Sequence, residues 1–343
     1  MGSKKTVNSV PVKRPSLIHF HFHRRKTGVT LSIKNVLKYL QEDFEVYVFG
    51  DLFEENKVSF SGLIRILKDK NIKIIHAHRN NEIIRALILR FFGLNFKLVA
   101  TRHAESKPSA LTLYLLKKVD KVISLSKSIQ RSLPIGTSVI GHGVQADFFI
   151  PNSKSFIKNV KQTQIICVAG RIREKKGSYV ILEAILPILK ENPDCALVFV
   201  GKIDDNKFLP ILDMKISELG LKDQLYVFPE TNEIKSFFQA AQVVVIPSFS
   251  EGFSLVCLEA MSCKSTVVAT QGVGIHSEVI KDGVNGYLFP PGDVENLREI
   301  LDGLIQKKLS INKDAARSEI LKNWTAKKEA SELKKIYLEG NSI

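Results

Sequence analysis

The chain has 343 residues, of which 44% are hydrophobic and 25% are charged, a size and composition that suit two globular domains and exclude a peptide scaffold or a disordered chain. Residues 1–150 carry 25 basic and 11 acidic side chains, a net charge of +14, whereas residues 151–343 carry a net charge of +1. The first half is therefore the part expected to meet a polyanion or an anionic membrane surface.

Short apolar runs alternate with longer segments of helical period along the first half. Strands are predicted over residues 17–22, 45–49, 72–76, 96–100 and 121–125, and helices over 28–40, 62–70 and 82–92. This βαβ rhythm predicts a parallel sheet with helices on both faces. No run of about 18 apolar residues occurs, and the first dozen residues lack the apolar core of a secretory signal, so we expect a cytoplasmic protein.

The same rhythm resumes after a stretch rich in glycine and proline. Strands are predicted over residues 165–169, 196–200, 224–228 and 243–247, and helices over 177–191, 210–219, 232–240, 255–262 and 324–339. The predicted fold class is α/β, with two doubly wound domains over residues 1–150 and 151–324 and with residues 325–343 packing back on the first. Such sheets bind ligands at the carboxyl ends of their strands, so a cleft between the domains is the expected site.

A basic loop follows the first strand of the second half. The loop opens a predicted helix, which places Arg171 and Lys176 beside the free N–H groups of a helix N-terminus. This arrangement suits a diphosphate, although a solvated basic loop has the same composition. The segment matches neither the Walker A pattern nor the GxGxxG pattern.

A second loop, residues 247–254, also runs from a strand through a glycine turn into a helix. Glu251 lies in this loop, and Glu259, eight positions later, lies in the predicted helix that follows it. Two carboxylates near a strand end can accept hydrogen bonds from the hydroxyls of a sugar and a ribose. Carboxylates at a helix entrance are also common as caps, so the residues alone leave both interpretations open.

The first strand of the chain runs into a basic loop that contains Arg24, Arg25 and Lys26. The helix after it begins at Gly28, where the lack of a side chain allows the backbone to approach a phosphate. After the predicted strand 96–100, His103 is a titratable group that would reach the expected cleft.

Histidines are concentrated in the first half. Strand alternation puts His19, His21 and His23 on one face, where they could hold Zn²⁺ together with His76 and His78. Histidines at strand ends are more often hydrogen-bonded residues that line a cleft. We therefore predict no metal site.

Taken in order, residues 170–177, 247–260 and 274–283 resemble retaining glycosyltransferases of the GT4 type, which have the GT-B fold. The resemblance is close over residues 165–295, and Glu251 and Glu259 have the E-x7-E spacing of that family. It implies two Rossmann-like domains that face each other across a cleft. Residues 1–150 would bind the acceptor, and residues 151–324 would bind a nucleotide-sugar.

The resemblance also implies roles for residues of the second domain. Arg171 and Lys176 would contact the donor diphosphate, Glu251 would lie near the donor sugar, and Glu259 would bind the ribose. The donor would further contact the segment that follows Glu251, namely Gly252, Phe253, Ser254 and Leu255. The family usually has glycine where Ser254 stands.

The resemblance is looser before residue 150. Gly28 corresponds to a glycine-rich loop over the donor phosphates, with Thr27 in place of a second glycine. His103 corresponds to a histidine that faces the donor sugar, and it is the second catalytic candidate beside Glu251. Residues 141–149 resemble the family's NGVD linker, with His142 and Gln145 in place of the usual residues.

The implied reaction is a retaining hexosyl transfer. Because residues 24–30 are similar to a loop of lipopolysaccharide-core mannosyltransferases, the first hypothesis is transfer of mannose from GDP-mannose, with Arg24, Arg25 and Lys26 as acceptor-binding candidates. Basic side chains and helix N-termini would stabilise the leaving diphosphate, so neither a metal nor another cofactor is expected. The acceptor would be an anionic glycolipid or saccharide, met peripherally at the inner membrane through the basic first half.

Three alternatives remain, of which the first is also a glycosyltransferase and the other two belong to other classes of function. A GT4 enzyme that uses a UDP-sugar could transfer glucose or N-acetylglucosamine in polysaccharide synthesis. A GT-B nucleotide-sugar epimerase would convert the free nucleotide-sugar without an acceptor. Nucleic acid is not an expected partner, because the aromatic residues of the first half fall in core-like runs and no RNP or helix-turn-helix pattern occurs.

Overall fold

The computed structural model describes residues 14–221 and 223–340, and these residues pack as two compact units. The first unit contains the described residues up to Arg102, Pro108–Ile123 and the chain from Leu333 onward, and the second contains His103–Lys107 and Ser124–Glu332. The predicted boundary at residue 150 lies inside the second of these units. The piece His103–Lys107 belongs to the second unit, where the backbone at residue 103 touches Gly252.

The first sheet has six strands in the order β2-β1-β3-β4-β5-β6, and β1 pairs in parallel with both β2 and β3. The strands are β1 (Ser16–His21), β2 (Glu45–Gly50), β3 (Lys73–Ala77), β4 (Lys97–Arg102), β5 (Lys121–Ser124) and β6 (Ser138–Val139). The helices that alternate with them are α1 (Gly28–Leu40), α2 (Phe60–Lys68), α3 (Asn80–Phe91), α4 (Ala110–Leu116) and α5 (Lys127–Arg131). The alternation agrees with the predicted βαβ rhythm.

The second sheet also has six strands, all paired in parallel, in the order β12-β11-β10-β7-β8-β9. They are β7 (Gln164–Ala169), β8 (Cys195–Val200), β9 (Leu225–Phe228), β10 (Val243–Ile246), β11 (Thr266–Thr270) and β12 (Tyr287–Phe289). The helices are α6 (Ser178–Glu191), α7 (Phe208–Leu219), α8 (Ile234–Ala240), α9 (Leu255–Ser262), α10 (His276–Val279), α11 (Val294–Ile305), α12 (Lys313–Asn323) and α13 (Ala326–Leu338).

The core of the second unit explains why its strands lack polar alternation. All residues of β8 and β10 are buried, because helices cover the parallel sheet on both faces. Helix α9 is buried along nearly its whole length and places Glu259 in this apolar setting. The four cysteines are free and buried.

The last turn of α13 packs within the first unit. Tyr337 is completely buried, and its hydroxyl lies 2.7 Å from Nδ1 of His76 on β3. The ammonium of Lys97 on β4 donates to the carbonyls of Ile336 and Glu339, both at 2.6 Å, and so caps the C-terminal end of the helix. Among the residues that the structure describes, no helix is both long and apolar enough to cross a membrane.

Candidate functional site

The second sheet reverses its strand order between β7 and β10, which are neighbours although β8 and β9 separate them along the chain. In open α/β sheets, ligands bind outside the carboxyl ends of the strands at such a reversal. Residues 170–177 lead from β7 into α6, and residues 247–254 lead from β10 into α9. Neither α6 nor α9 has a side-chain cap at its N-terminus, so both present backbone N–H groups at this edge.

Two glycines hold these loops together by backbone contact. Gly177 has a φ of +68°, and a Cβ there would overlap the carbonyl oxygen of Pro247. A Cβ at Gly252 would overlap the carbonyl oxygen of His103. Glycine is therefore required at both positions, and the contacts join residue 103 and the two loops into one cluster within the second unit.

The predicted polar residues of the two loops meet at one carboxylate. Oε1 of Glu251 accepts a hydrogen bond from the ammonium of Lys176 at 2.5 Å and another from the hydroxyl of Ser248 at 2.7 Å. Arg171 lies on the same loop as Lys176 but pairs with Asp204, its guanidinium 3.1 Å from Oδ2. The cluster thus presents two cations and a carboxylate that is held in place by two donors.

Glu259 differs from Glu251 in its surroundings. It lies on α9, is only 8% exposed, and its carboxylate has no hydrogen-bond donor in contact among the described residues. Burial in apolar surroundings raises the pKa of Glu259 to about 7. A buried carboxylate without a protein donor is suited to accept hydrogen bonds from the hydroxyls of a ligand.

Ser254 has a backbone conformation that favours glycine, which is the residue that the resembling family usually has at this position. Its φ is +92°, a left-handed region that costs a residue with a side chain about 1 kcal/mol or more. Nδ1 of His276 lies 2.9 Å from the carbonyl oxygen of Thr270 and donates to it, so its Nε2 accepts from the hydroxyl of Ser254 at 2.9 Å. Burial lowers the pKa of His276, which favours this neutral form.

His276 was not singled out from the sequence as part of the site, because a single histidine at the start of a short helix has no informative spacing. The same holds for Glu329, which lies 187 residues from its partner His142. Nδ1 of His142 is 2.8 Å from Oε1 of Glu329, and Nε2 of His142 is 3.4 Å from Nδ1 of His103. The ring of Phe253 packs edge-on against His142, with centroids 5.1 Å apart.

A cavity of about 660 Å³ opens beside these residues within the second unit. His142, Glu329 and Trp324 contribute to its lining, together with Lys127, Glu278 and Glu332. Glu278 also accepts a hydrogen bond from the backbone N–H of Lys127 at 3.1 Å, which connects the start of α5 to helix α10. His142 thus borders this cavity on one side and contacts His103 on the other.

The ligand-binding residues predicted for the first unit lie on an exposed loop and at the start of α1. Arg24, Arg25, Lys26 and Gly28 are all exposed, and Thr27 forms a capping box with Thr30 at the start of α1. A Cβ at Gly28 would have no described heavy atom within 4 Å. The described part of the protein would therefore accommodate a side chain at this position.

The histidine grouping differs from the predicted one. His23 lies near Arg25, and His21 contacts the hydroxyl of Thr30 at 3.0 Å, whereas His19 groups with His76 and His78. Ring nitrogens of these last three lie within 4.8 Å of one another, which is a possible metal-binding grouping. Strand pairing brings His19 opposite His76, which alternation along one strand cannot reveal.

Hydrogen bonds already hold this histidine group. The two ring nitrogens of His76 contact the hydroxyls of Tyr337 and Thr101, both at 2.7 Å, and Nδ1 of His19 lies 3.3 Å from Nε2 of His78. Glu82, which is completely buried and was not singled out from the sequence, accepts from the backbone N–H of His78 at 2.7 Å. The group thus has the contacts of a buried polar network.

Comparison with known proteins identifies the family. Residues 150–324 match the model of the family described as "glycosyl transferases group 1". The lipopolysaccharide core biosynthesis mannosyltransferase LpcC of Rhizobium leguminosarum bv. viciae is 26% identical over 341 residues, which cover 95% of this chain and 97% of the relative.

Solved structures agree in fold. The crystal structure of Anabaena HepE in complex with UDP and glucose has a TM-score of 0.77 at 19% identity and covers 94% of this chain and 98% of its own. A glycosyltransferase from Rickettsia africae ESF-5 has a TM-score of 0.79 at 19% identity, with coverage of 96% and 100%. With the family match over more than half of its length, the chain belongs to the glycosyl transferases group 1 and is a glycosyltransferase with the GT-B fold.

Proposed function

We propose that this glycosyltransferase is a retaining mannosyltransferase that moves mannose from GDP-mannose to a glycolipid or lipopolysaccharide-core acceptor. The observation that carries the proposal is the similarity to a lipopolysaccharide core mannosyltransferase, which extends over 95% of the chain rather than over the family segment alone. The similarity therefore includes the first unit, where acceptor specificity would reside.

The donor diphosphate would bind at the carboxyl ends of β7 and β10. Arg171 and Lys176 would neutralise its charge, and the uncapped N-termini of α6 and α9 would donate backbone hydrogen bonds to its oxygens. Charge accumulates on this diphosphate as the bond to the sugar breaks, so fixed positive groups lower the barrier. We propose that these groups stabilise the leaving diphosphate without a metal ion.

The two glutamates would bind different parts of the donor. Glu259, buried and without a protein donor, would accept hydrogen bonds from the ribose hydroxyls. Glu251 is oriented by Lys176 and Ser248 through one carboxylate oxygen, and its other oxygen would accept from a hydroxyl of the sugar. His103 would contact another hydroxyl of the same sugar.

Retention follows if the acceptor attacks from the side on which the diphosphate leaves. The acceptor oxygen forms the new bond to the anomeric carbon as the bond from that carbon to the phosphate oxygen breaks. The acceptor hydroxyl proton passes to the departing phosphate oxygen. This scheme needs no separate general base, and the cations near the diphosphate stabilise the charge that remains on it.

Thermal shift with GDP, UDP, ADP and their sugar conjugates tests the donor, because a ligand that binds only the folded state raises Tm. We expect selective stabilisation by GDP-mannose that Arg171→Ala abolishes. Lys175→Ala, which removes the same charge from an exposed neighbouring position, is the control and should retain the shift. Transfer of labelled mannose to lipid-linked core saccharide, with the anomeric configuration read by NMR, then tests the reaction.

A second candidate is transfer from a UDP-sugar. It is supported by the likeness in fold to Anabaena HepE, whose structure was solved in complex with UDP and glucose. In the same panel this candidate predicts stabilisation by UDP and UDP-glucose and none by GDP. Stabilisation by no nucleotide would contradict both candidates.

Membrane contact is the second part of the proposal, and exposed apolar side chains of the first unit support it. Helix α3 and the residue after it expose Ile88, Phe91 and Phe92 by 50%, 86% and 75%, and α4, which packs against α3, exposes Tyr114 by 59%. Exposed basic residues, Arg85, Lys117 and Lys118, flank them. Aromatic side chains beside basic ones suit the interface of an anionic membrane.

Vesicle sedimentation tests this contact. We expect the protein to sediment with phosphatidylglycerol-containing vesicles at low salt and not with phosphatidylcholine vesicles. The double variant Phe91→Ser/Phe92→Ser should lose most of the binding, whereas Phe156→Ser, at an exposed phenylalanine of the second unit, should retain it. Equal binding to both vesicle types, or equal loss in both variants, would contradict the proposal.

A further inference from the structure

Glu329 holds a fixed position beside the linker that contains His142. Its Oε2 accepts a hydrogen bond from the backbone N–H of Gly143 at 2.7 Å, while its Oε1 lies 2.8 Å from Nδ1 of His142. Glu329 and His142 are each only 6% exposed. Because a backbone N–H can only donate, the carboxylate is anchored independently of the histidine.

These contacts define where the imidazole protons lie. A carboxylate accepts hydrogen bonds, so Nδ1 of His142 carries the hydrogen that it donates to Glu329. When His142 carries this one proton, its Nε2 is an acceptor. The atom that faces this acceptor is Nδ1 of His103, at 3.4 Å, with the two rings stacked at a centroid distance of 5.3 Å.

We propose that Glu329 and His142 are positioning residues that hold His103 in the tautomer with its proton on Nδ1, so that Nε2 of His103 accepts a hydrogen bond from a donor-sugar hydroxyl. The inference rests on the proposed glycosyl transfer and adds to it the protonation state of one group. It also gives a role to His142, which stands where the resembling family has a different residue.

The placement of Glu329 supports a role for its charge. A buried carboxylate is expensive to desolvate, yet this one lies in the first turn of α13, where the helix dipole favours a negative charge. Its two oxygens are used by two different donors, which fixes the plane of the carboxylate and so the direction of the bond to His142. An uncharged residue would fill the same space without setting the tautomer of His142.

The tautomer can be observed without any assay of activity. Nitrogen-15 NMR of the full chain labelled at histidine distinguishes a protonated ring nitrogen from an unprotonated one, and comparison with His103→Gln assigns the signals. At pH 8 we expect His103 to carry its proton on Nδ1. In Glu329→Gln we expect its signals to move towards those of the other tautomer, because a carboxamide whose oxygen accepts from the N–H of Gly143 presents its own N–H to Nδ1 of His142.

Kinetics supply the second readout. For Glu329→Gln we expect kcat to fall by about 10- to 100-fold with a change in donor KM of less than about 3-fold, as found for residues that orient a reactive group through another. Glu332→Gln, a carboxylate on the same helix that lines the same cavity, is the matched control and should leave both constants unchanged. His142→Asn should rescue kcat relative to His142→Phe, because the amide oxygen can accept from Nδ1 of His103.

Each outcome is decisive. A wild-type spectrum with the proton on Nε2 of His103 overturns the proposal even if the variants fail to fold. An unchanged tautomer and kcat in a folded Glu329→Gln, or equal losses in Glu332→Gln, also overturn it. If the wild-type enzyme turns over no nucleotide-sugar, the proposed function fails, whereas the tautomer measurement still decides the effect of Glu329.

Discussion

Two basic loops of similar sequence each contain a glycine at the start of a helix, but the structure gives a reason for glycine at only one of them. Gly177 and Gly28 both open a helix after a basic segment, and both suit an approach to phosphate. In the structure, Gly177 has a positive φ and touches the backbone of Pro247, whereas a Cβ at Gly28 would meet no described atom. The first glycine is required by the fold, and any requirement for the second must come from a ligand.

The largest effect is expected at the carboxylate that links the loops of the second unit. Glu251→Gln removes the charge that orients Lys176 and an acceptor for the sugar, so kcat should fall by about 100- to 1000-fold. Glu174→Gln, at an exposed acid in the same loop as Lys176, should change kcat by less than about 2-fold. Initial rates at saturating donor measure both, and activity within a few-fold of wild type would remove Glu251 from the proposed mechanism.

The paired variants Gly177→Ala and Gly28→Ala test the comparison itself. Gly177→Ala combines left-handed strain with a backbone overlap, so the free energy of unfolding should fall by about 3 kcal/mol or more. Gly28→Ala should change it by less than about 0.5 kcal/mol but weaken donor binding about 10-fold. Urea unfolding and nucleotide titration measure the two effects, and similar stability losses in both variants would show that the distinction is wrong.

A smaller effect on stability is expected at Glu259, where burial raises the pKa from 4.5 to about 7. The ionised carboxylate destabilises the fold at pH 8, so Glu259→Gln should raise the free energy of unfolding there by about 1–3 kcal/mol. This gain is complete above pH 7 and should disappear as the pH falls from about 7 towards 4.5, where folded and unfolded forms are both protonated.

Donor binding should respond in the opposite sense. Because the ionised carboxylate accepts the ribose hydroxyls in the proposed function, Glu259→Gln should weaken nucleotide binding at pH 8, and wild-type affinity should fall as the pH drops through about 7. Calorimetric titration at several pH values measures this. A more stable variant that binds as tightly as wild type would contradict the assignment to ribose.

The smallest effect is expected at Ser254. Ser254→Gly relieves the strain of the positive φ but loses the hydrogen bond to His276, so Tm should change by no more than about 2 °C. Ser254→Ala keeps the strain and leaves the buried Nε2 of His276 without its donor, which should cost about 1–2 kcal/mol. Thermal unfolding measures both variants. If Ser254→Ala were as stable as wild type, the hydrogen bond from Ser254 to His276 would contribute nothing to stability.

The sequence predicted those parts of the molecule that depend on local periodicity. The βαβ order and the loops around Lys176 and Glu251 were predicted correctly, because a buried strand followed by a glycine turn is visible in a short window. The elements that were not predicted are strands β6, β11 and β12 and helices α4, α5, α11 and α12. The predicted helix at 324–339 begins two residues later, because Trp324 ends α12.

The remaining features depend on contacts between distant segments. The group formed by His19, His76 and His78 comes from the pairing of β1 with β3, and Glu329 reaches His142 from a helix near the end of the chain. No spacing within a single segment encodes such contacts. Ser254 is an intermediate case, since its departure from the family glycine was visible in the sequence but its φ was not.

The burial of Tyr337 in the first unit has a consequence for biosynthesis. Tyr337 meets His76 across 261 positions of sequence, and Lys97 on β4 caps the helix that carries it. While the chain emerges from the ribosome, β3 and β4 are made early but lack their partner until the last segment appears. The second unit, which is continuous from Ser124 to Glu332 apart from the short piece at 103–107, has nearly all its contacts before then. Although the first unit is synthesised first, we therefore expect it to complete its folding after the second unit.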